Sequence, residues 1–225
     1  MIGVFDSGAG GLFALAELRR LCPRADLVFF ADKENAPYGN KTKDELVSLV
    51  GSDIDRLSAL GCDKVLMACC TASTVHGLLP DRYRNISVPI IDPTARMAVM
   101  NSSTKKIGVL STVATEMSGA FVDSIKKYEP HAEVVTSHAP ELVELAERGE
   151  CDGRLSREGS FTVEKSVSKF LNTDIDTLIL GCTHFAYFEN KIKEILRINI
   201  VNSARVGAVV MSSFARSERS KTVFI

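Results

Sequence analysis

"VLMACCTAST", residues 65–74, carries an apolar run directly into two adjacent cysteines and a cluster of small hydroxyl residues. A short apolar run that ends in polar residues is typical of a buried parallel strand, whose carboxyl end meets the start of the next helix. The second half of the chain repeats this pattern in "TLILGCTH", residues 177–184, where a cysteine is again followed by threonine. The two stretches therefore predict two related α/β units.

Short strands alternate with amphipathic helices along the whole chain. The predicted strands are 2–7, 26–32, 64–70, 88–93, 106–112, 132–137, 177–184 and 199–203. A helix is predicted over 42–60, because apolar residues recur there at three- and four-residue spacing and Thr42 with Glu45 forms a capping-box pattern. The apolar positions of that helix are Leu46, Val50, Ile54, Leu57 and Leu60. A second helix is predicted over 139–149, between Pro140 in its first turn and Gly149 at its end.

This alternation implies parallel sheets that are covered by helices on both faces. We predict an α/β fold of two pseudo-symmetric lobes, each with a mostly parallel four-stranded sheet flanked by helices, and an active site in the cleft between them. The stretch 92–106 is the expected crossover, and the tail 204–218 is expected to be a helix that returns to the first lobe. The first lobe is predicted to comprise residues 1–94 plus 205–225, and the second lobe residues 95–204.

Composition narrows the class of protein. The chain has 225 residues, of which 45% are hydrophobic and 24% charged, the usual balance of a globular domain. A formal net charge of −1, without a dense run of Lys and Arg, argues against a nucleic-acid partner. The sequence shows neither a signal-peptide pattern nor an apolar run long enough to cross a membrane. We therefore expect a cytoplasmic protein with reduced cysteines that binds neither nucleic acid nor membrane.

Cysteines at two matched strand ends predict proton-transfer chemistry. Polar residues lie at the carboxyl ends of four predicted strands, at Asp6–Ser7, Asp32, Cys69–Thr71 and Cys182–His184. Two thiols on opposite sides of a small ligand can invert a carbon centre, because one thiolate removes the α-proton while the other thiol protonates the opposite face. Asp6 and His184 are candidates to tune or relay these protons. Hydroxyl and backbone groups of "TAS" and "THF" can stabilise the developing charge.

Structural interpretations compete with this hypothesis. A single buried cysteine usually packs as a small hydrophobe, and Asp6 can cap the helix that follows it. A metal site is also conceivable at Cys69, Cys70, Cys182 and His184, although no Cys-x-x-Cys spacing supports one. "GAGG", residues 8–11, lacks the dinucleotide fingerprint and the Lys-Ser/Thr ending of a phosphate loop, so it predicts a turn into a helix. The matched positions of the two cysteines favour catalysis.

Six motifs resemble, in the same order, those of the glutamate racemases. They are "IGVFDSGAGGL" (2–12), "ADKENAPYGNKT" (31–42), "ACCTAS" (68–73), "IGVLSTVAT" (107–115), "ELVELAERG" (141–149) and "LGCTHF" (180–185). The resemblance implies a racemase that needs no cofactor, interconverts L- and D-glutamate, and supplies D-glutamate for peptidoglycan. The expected partner is a small amino-acid substrate, and the expected assembly, if the chain oligomerises, is a homodimer.

The resemblance also assigns roles by motif position. Cys69 and Cys182 correspond to the catalytic cysteines, on the D-side and the L-side respectively, and Asp6, Glu147 and His184 to the assisting acid–base groups. The implied substrate-binding residues are Ser7, Pro37, Tyr38, Gly39, Cys70, Thr71, Thr112, Thr115 and Thr183. Cys70 stands where the family has an asparagine that hydrogen-bonds the substrate, and a thiol is a weaker donor and acceptor than a carboxamide.

Two other functions stay open at this level. One is a racemase or isomerase of the same architecture that acts on another small acid, such as aspartate; the motifs "DSG" and "GCTH" favour glutamate over it. The other is a non-catalytic homologue that binds a ligand or a protein. Thiols at both catalytic positions argue against it, because a binding protein needs neither.

Overall fold

The computed structural model of the chain describes residues 1–215 and 221–225, which contain nine strands and eleven α-helices. The strands are β1 (Ile2–Asp6), β2 (Leu27–Ala31), β3 (Lys64–Met67), β4 (Ser87–Pro89), β5 (Lys106–Ser111), β6 (Glu133–His138), β7 (Thr177–Gly181), β8 (Asn199–Asn202) and β9 (Thr222–Phe224). The helices are α1 (Gly11–Leu21), α2 (Lys43–Ala59), α3 (Cys70–Ser73), α4 (Asp81–Arg84), α5 (Ile91–Asn101), α6 (Val113–Ser118), α7 (Ala120–Tyr128), α8 (Pro140–Glu147), α9 (Arg157–Val167), α10 (Glu189–Leu196) and α11 (Ser203–Ser212). Short 3-10 helices lie at Tyr38–Asn40, His76–Leu78, Ser168–Asn172 and Thr183–Phe188.

The chain forms two compact units, Met1–Ile90 with Ala204–Ile225, and Ile91–Ser203. The first contains a sheet of order β4-β3-β1-β2-β9 and the second a sheet of order β6-β5-β7-β8, and every neighbouring pair of strands is parallel. Apart from the additional edge strand β9, and counted from the first strand of each unit, both sheets have the order second, first, third, fourth. The predicted α/β class with two parallel sheets is confirmed.

The first sheet has one strand more than predicted. β9 pairs with β2 at the edge of the sheet, with Leu27 opposite Thr222 and Phe29 opposite Phe224. The guanidinium of Arg19 on α1 supports it, donating to the carbonyl of Lys221 over 3.0 Å and to the hydroxyl of Thr222. The predicted four-stranded sheet is therefore wrong for this unit. β9 spans only three residues, which is too short for a period-two pattern to be recognised in the sequence.

All eight predicted strands are observed, and most of their ends lie within one residue of the prediction, but β3, β4 and β7 end three or four residues earlier than predicted. β3 ends at Met67 rather than residue 70, β7 at Gly181 rather than 184, and β4 at Pro89 rather than 93. In each case the polar or helix-starting residues that follow leave the sheet and enter the next helix. The catalytic candidates therefore lie just beyond the strands, at helix starts.

Helix α2 begins with the predicted capping box. The Thr42 hydroxyl accepts from the Glu45 N–H over 3.3 Å, and the Glu45 carboxylate accepts from the Thr42 N–H over 2.7 Å. Leu60 was predicted on the buried face, but it is the C-cap residue and 43% exposed, so that prediction is wrong. Asp53 is buried on the same face among apolar side chains.

The remaining predicted helices are also observed. α8 starts at Pro140, and Gly149 just beyond its end has a φ of +84°, a left-handed conformation that favours glycine. The predicted crossover contains α5. The predicted tail helix is α11, which ends at Ser212, and residues 216–218 of that prediction lie outside the described residues.

Each unit has its own apolar core, and each core includes one of the two candidate cysteines. Cys69 belongs to the cluster formed with residues of β1, β3 and α2, and Cys182 to the cluster formed with residues of α8, α9 and β7. Both cysteines are 7% exposed. Within residues 1–215 and 221–225, no helix has the length and apolar character required to span a bilayer.

Candidate active site

The carboxyl ends of β1, β2 and β3 meet at one edge of the first sheet. Asp6 pairs with Ala31 and Phe5 with Met67, so the residues that follow these strands emerge side by side. The polar residues predicted at the ends of these three strands, Asp6–Ser7, Asp32 and Cys69–Thr71, therefore come together.

Cys69 lies where its sulfur is held by hydrogen bonds. It is the N-cap residue of α3, and its Sγ accepts from the N–H of Ala72 over 3.5 Å. The hydroxyl of Ser7 is 3.3 Å from the same sulfur. When both groups donate to sulfur, they favour the thiolate over the thiol, as a general base requires.

Asp6, the last residue of β1 and the neighbour of Ser7 in sequence, is fully buried. Its Oδ1 accepts from the N–H of Gly8 over 2.9 Å, which closes the turn after β1. The N-cap residue of α1 is Gly10, without a side-chain cap, so the interpretation of Asp6 as a helix cap is wrong. A Cβ at Gly11 would overlap the Asp6 side chain, so only glycine lets α1 start here. The predicted turn at 8–11 is confirmed.

The predicted substrate-binding residues of this unit differ in accessibility. Cys70 and Thr71 are buried in the first turn of α3. The Tyr38 side chain is 1% exposed and packs in the apolar core, whereas Pro37 and Gly39 on either side of it are exposed. Within the segment 37–39, the groups that are accessible to a ligand are therefore Pro37, Gly39 and the main chain. The Tyr38 side chain packs in the core and holds the segment in place.

The second sheet presents a similar edge. Ser111 pairs with Gly181, so Thr112 and Cys182 follow β5 and β7 from adjacent positions. The Thr112 hydroxyl accepts from the N–H of Thr115 over 3.3 Å as the N-cap of α6, and donates to the Thr115 hydroxyl over 2.9 Å. Thr115 and Thr183 are buried.

Cys182, His184 and Glu147 form a hydrogen-bonded series within the second unit. The Cys182 Sγ is 3.7 Å from Nδ1 of His184, and Nε2 of His184 is 2.6 Å from Oε1 of Glu147. Cys182 follows β7, His184 lies in the 3-10 helix Thr183–Phe188, and Glu147 is the last residue of α8, which packs against that helix. With Glu147 accepting from Nε2–H, Nδ1 can take the thiol proton, the arrangement that activates a sulfur nucleophile or base.

The two cysteines occupy equivalent positions in the two sheets. Cys69 follows the third strand of the first unit and Cys182 the third strand of the second. Polar residues also follow the first strand of each unit, Ser7 after β1 and Thr112 after β5. The repeated strand order therefore gives each unit one thiol with a hydroxyl residue on the neighbouring strand end.

Two residues of the first unit were missed by the sequence analysis. The Asp32 carboxylate accepts from the side chain of Asn35 over 3.0 Å and from the Tyr38 hydroxyl over 2.6 Å, and that hydroxyl also lies 2.7 Å from Asp53. The spacing carried a signal for Asp53, because an acidic residue three positions after Val50 falls on the apolar face of α2. Asn35 carried no such signal.

The described residues do not form a metal site. Within residues 1–215 and 221–225, no group of three or more His, Cys, Asp and Glu side chains is arranged to hold a metal ion.

Comparisons with a family model and with individual proteins point to the same family. The model of the Asp/Glu/Hydantoin racemase family matches residues 16–211. A glutamate racemase of Desulforudis audaxviator is 35% identical over 201 residues, which cover 89% of this chain and 72% of that protein. A glutamate racemase of Aquifex aeolicus is 34% identical over 223 residues, with 97% and 85% coverage.

A solved structure supports the same relationship. The crystal structure of glutamate racemase isoform RacE1 from Bacillus anthracis is 28% identical and superimposes with a TM-score of 0.87, over 100% of this chain and 87% of that one.

Proposed function

Because this chain belongs to the Asp/Glu/hydantoin racemase family, we propose that it is an isomerase that interconverts L- and D-glutamate by proton transfer at Cα, using Cys69 and Cys182. One observation carries the proposal beyond the family name. The Cys182–His184–Glu147 series in one unit is matched, at the equivalent strand end of the other, by Cys69, whose sulfur accepts from the Ala72 N–H and lies in hydrogen-bond contact with the Ser7 hydroxyl. Each unit supplies one thiol that is prepared for proton transfer.

In the proposed reaction the two thiols exchange roles. From L-glutamate, the Cys182 thiolate removes the Cα proton, and the electron pair left on Cα delocalises into the carboxyl group. The Cys69 thiol then gives its proton to the opposite face of Cα and becomes a thiolate. No atom is gained or lost, and the next turnover in the same direction requires Cys182 to lose its new proton and Cys69 to regain one.

Neighbouring residues support these transfers. His184, oriented by Glu147, accepts the proton of the Cys182 thiol and returns it, so that the sulfur is available as a base. Asp6 is buried and precedes Ser7, whose hydroxyl lies 3.3 Å from the Cys69 sulfur, and it is the proposed acid–base partner of the first thiol. The Cα–H of an amino-acid carboxylate is a very weak acid, so hydroxyl and backbone donors must stabilise the charge that develops on the carboxyl group. The proposed donors are Ser7, Thr71, Thr112, Thr115 and Thr183, with Cys70 beside them.

The proposal extends to the biological role. The D-glutamate formed would supply peptidoglycan synthesis in the cytoplasm, without a cofactor. This part rests on the resemblance to glutamate racemases and stays a prediction.

Isotope exchange tests the assigned substrate. Pure protein is incubated with L-glutamate, and separately with D-glutamate, in heavy water. With either enantiomer as the starting material, deuterium is expected to appear at Cα while the optical rotation of the solution approaches zero. If neither occurs although a glutamate racemase such as that of Aquifex aeolicus is active under the same conditions, the glutamate assignment is wrong.

The same assay separates a second candidate substrate. Cys70, in place of the asparagine expected from the resemblance, is the observation that favours another acidic amino acid. L- and D-aspartate are therefore run in parallel, and faster exchange with aspartate than with glutamate would replace the substrate while keeping the two-thiol reaction.

A further inference from the structure

A buried hydrogen-bonded series lies beneath the segment 37–39. The Tyr38 hydroxyl lies 2.6 Å from Oδ2 of Asp32 and 2.7 Å from Oδ2 of Asp53. Both carboxyl groups and the phenol are buried, Asp53 with 2% of its surface exposed. Nothing in the proposed proton transfer uses Asp53.

The number of available protons shows that the two carboxyl groups in this series cannot both be ionised. A phenol has one proton and can donate it to one oxygen, yet Tyr38 Oη lies within hydrogen-bond distance of two carboxyl groups. Oxygens that are only 2.6 or 2.7 Å apart need a proton between them, and with both carboxyl groups ionised the single phenol proton would serve only one of the two contacts. The other contact would bring two oxygen lone pairs together in a buried site, which is costly. One carboxyl group must therefore carry a proton and donate it to Tyr38 Oη.

The surroundings indicate which carboxyl group is protonated. Both carboxyl oxygens of Asp32 already accept hydrogen bonds from the Asn35 side chain, so Asp32 acts as the acceptor of the pair. Burial, reinforced by the charge of Asp32, raises the pKa of Asp53 to about 7, against the opposing effects of the Tyr38 hydrogen bond and of Arg56. Burial and the hydrogen bond to Asp32 also raise the pKa of Tyr38 far above its usual value, so the phenol stays neutral.

The series is connected to the proposed catalytic edge. The Asp32 N–H donates to the carbonyl of Asp6 over 3.0 Å, at the end of β1. The 3-10 helix Tyr38–Asn40 packs against α3, the helix that Cys69 caps. Moving Tyr38 would therefore displace Pro37, Gly39 and the start of α3 together.

We propose that Asp53 is a positioning residue: as a neutral acid it donates to Tyr38, Tyr38 donates to Asp32, and this relay holds Pro37 and Gly39 in place for substrate. The inference rests on the proposed function in one respect, because it is the racemase assignment that makes 37–39 a substrate-binding segment. Asp53 touches no reacting atom in this scheme and acts only through Tyr38.

The protonation of Asp53 predicts how the stability of the chain depends on pH. An Asp carboxyl group has an ordinary pKa of 3.8, and in the folded protein that of Asp53 is about 7. Between these values the folded chain binds the extra proton, so the contribution of Asp53 to stability falls as pH rises from about 4 through about 7. Above that range Asp53 is ionised beside Asp32, the relay loses its proton, and the KM for substrate should rise.

Three variants test the relay. Asp53→Asn keeps a neutral donor toward Tyr38 but cannot ionise, and Asp53→Leu removes the hydrogen bond. Asp55→Asn is the matched control, because Asp55 lies on the same helix and accepts from another tyrosine, Tyr83, over 2.7 Å, but at an exposed position.

The first measurements need no substrate. In heavy water near pH 6, the infrared spectrum of the wild-type chain minus that of Asp53→Asn should contain the carbonyl stretch of a protonated carboxylic acid, and the same subtraction with Asp55→Asn should not. On raising the pH from 5 to 8, the wild-type chain should lose stability relative to Asp53→Asn, while Asp55→Asn follows the wild type. Absence of the band, or parallel pH curves for wild type and Asp53→Asn, overturns the relay.

Kinetics then test the positioning role. Asp53→Leu should raise the KM for glutamate about tenfold with a smaller change in kcat, the size of effect expected when a supporting hydrogen bond is lost. Asp53→Asn should keep a low KM that no longer rises near pH 7. An unchanged KM in folded Asp53→Leu overturns the positioning role. A wild-type chain without racemase activity overturns the proposed function instead, and the substrate-free measurements still decide the relay.

Discussion

At the scale of single residues, the proposed mechanism makes the reactivity of Cys182 depend on the His184 imidazole beside it and on the Glu147 carboxylate that contacts this imidazole. Glu147→Gln keeps an oxygen that can accept from Nε2 of His184, but it removes the negative charge that stabilises the imidazolium. We expect kcat to fall between about tenfold and hundredfold. Polarimetry from both enantiomers measures it, and kcat/KM must fall by the same factor in both directions because enantiomers have equal free energies.

A neighbouring glutamate provides the control for this variant. Glu144 lies on the same helix, is exposed, and forms an ion pair with the exposed guanidinium of Arg148 at 3.4 Å. Glu144→Gln should leave kcat at the wild-type value. If Glu147→Gln also keeps the wild-type kcat and pH profile, Glu147 has no part in the proton transfer.

Cys70 is the residue at which we expect a substitution to improve substrate binding. It is buried in the first turn of α3, next to Cys69. Cys70→Asn introduces a carboxamide that both donates and accepts, and one additional neutral hydrogen bond of about 1 kcal/mol corresponds to a KM about fivefold lower. Steady-state kinetics with glutamate and aspartate measure the change, with circular dichroism as the check on folding. An unchanged KM in the folded variant means that position 70 does not contact the substrate.

At the scale of elements, the end of β7 must be free of side-chain bulk for Cys182 to reach its position. A Cβ at Gly181 would lie 2.8 Å from the Phe121 ring and 3.1 Å from the backbone oxygen of Leu110. Gly181→Ala should therefore lower the free energy of unfolding by about 1–3 kcal/mol and reduce kcat, because the strand end must shift away from β5. Urea denaturation and racemase assays measure the two effects.

Gly77 is the matched control for that substitution. A Cβ there meets no atom within 4 Å, and its φ is not in the left-handed range. Gly77→Ala should change the free energy of unfolding by less than about 0.5 kcal/mol. Equal urea midpoints for the wild type and both variants would contradict the close packing described at the end of β7.

Secondary structure was largely predictable because its signals are local. Short apolar runs that alternate with amphipathic helices predicted eight strands, and the Thr42–Glu45 spacing predicted the start of α2. The strand ends at Met67 and Gly181 were predicted too late, because a cysteine or threonine suits a strand as well as a helix start. β9 and its contact with Arg19 depend on residues about 200 positions apart, and no local pattern encodes that pairing.

At the scale of the whole molecule, the repeated "Cys-then-Thr" pattern predicted two related α/β units, and the two sheets share a strand order that the pattern did not specify. The sequence also predicted which residues follow the strands in each unit, because parallel strands bring their carboxyl ends to one edge. It did not predict the side-chain hydrogen bonds within each unit, such as those of Tyr38 with Asp32 and Asp53. Those contacts depend on side-chain orientation, which spacing alone does not determine.

The central claim is that two different thiols act on Cα, and the position of deuterium at low conversion tests it most directly. A thiol carries one proton, so the hydrogen removed from the substrate stays on the first sulfur while the second sulfur delivers a solvent-derived one. In heavy water, newly formed D-glutamate should be deuterated at Cα while the remaining L-glutamate is not, and the reverse should hold from D-glutamate. Deuterium in the remaining substrate, or the original hydrogen in the product, would indicate a single base and contradict the two-thiol account.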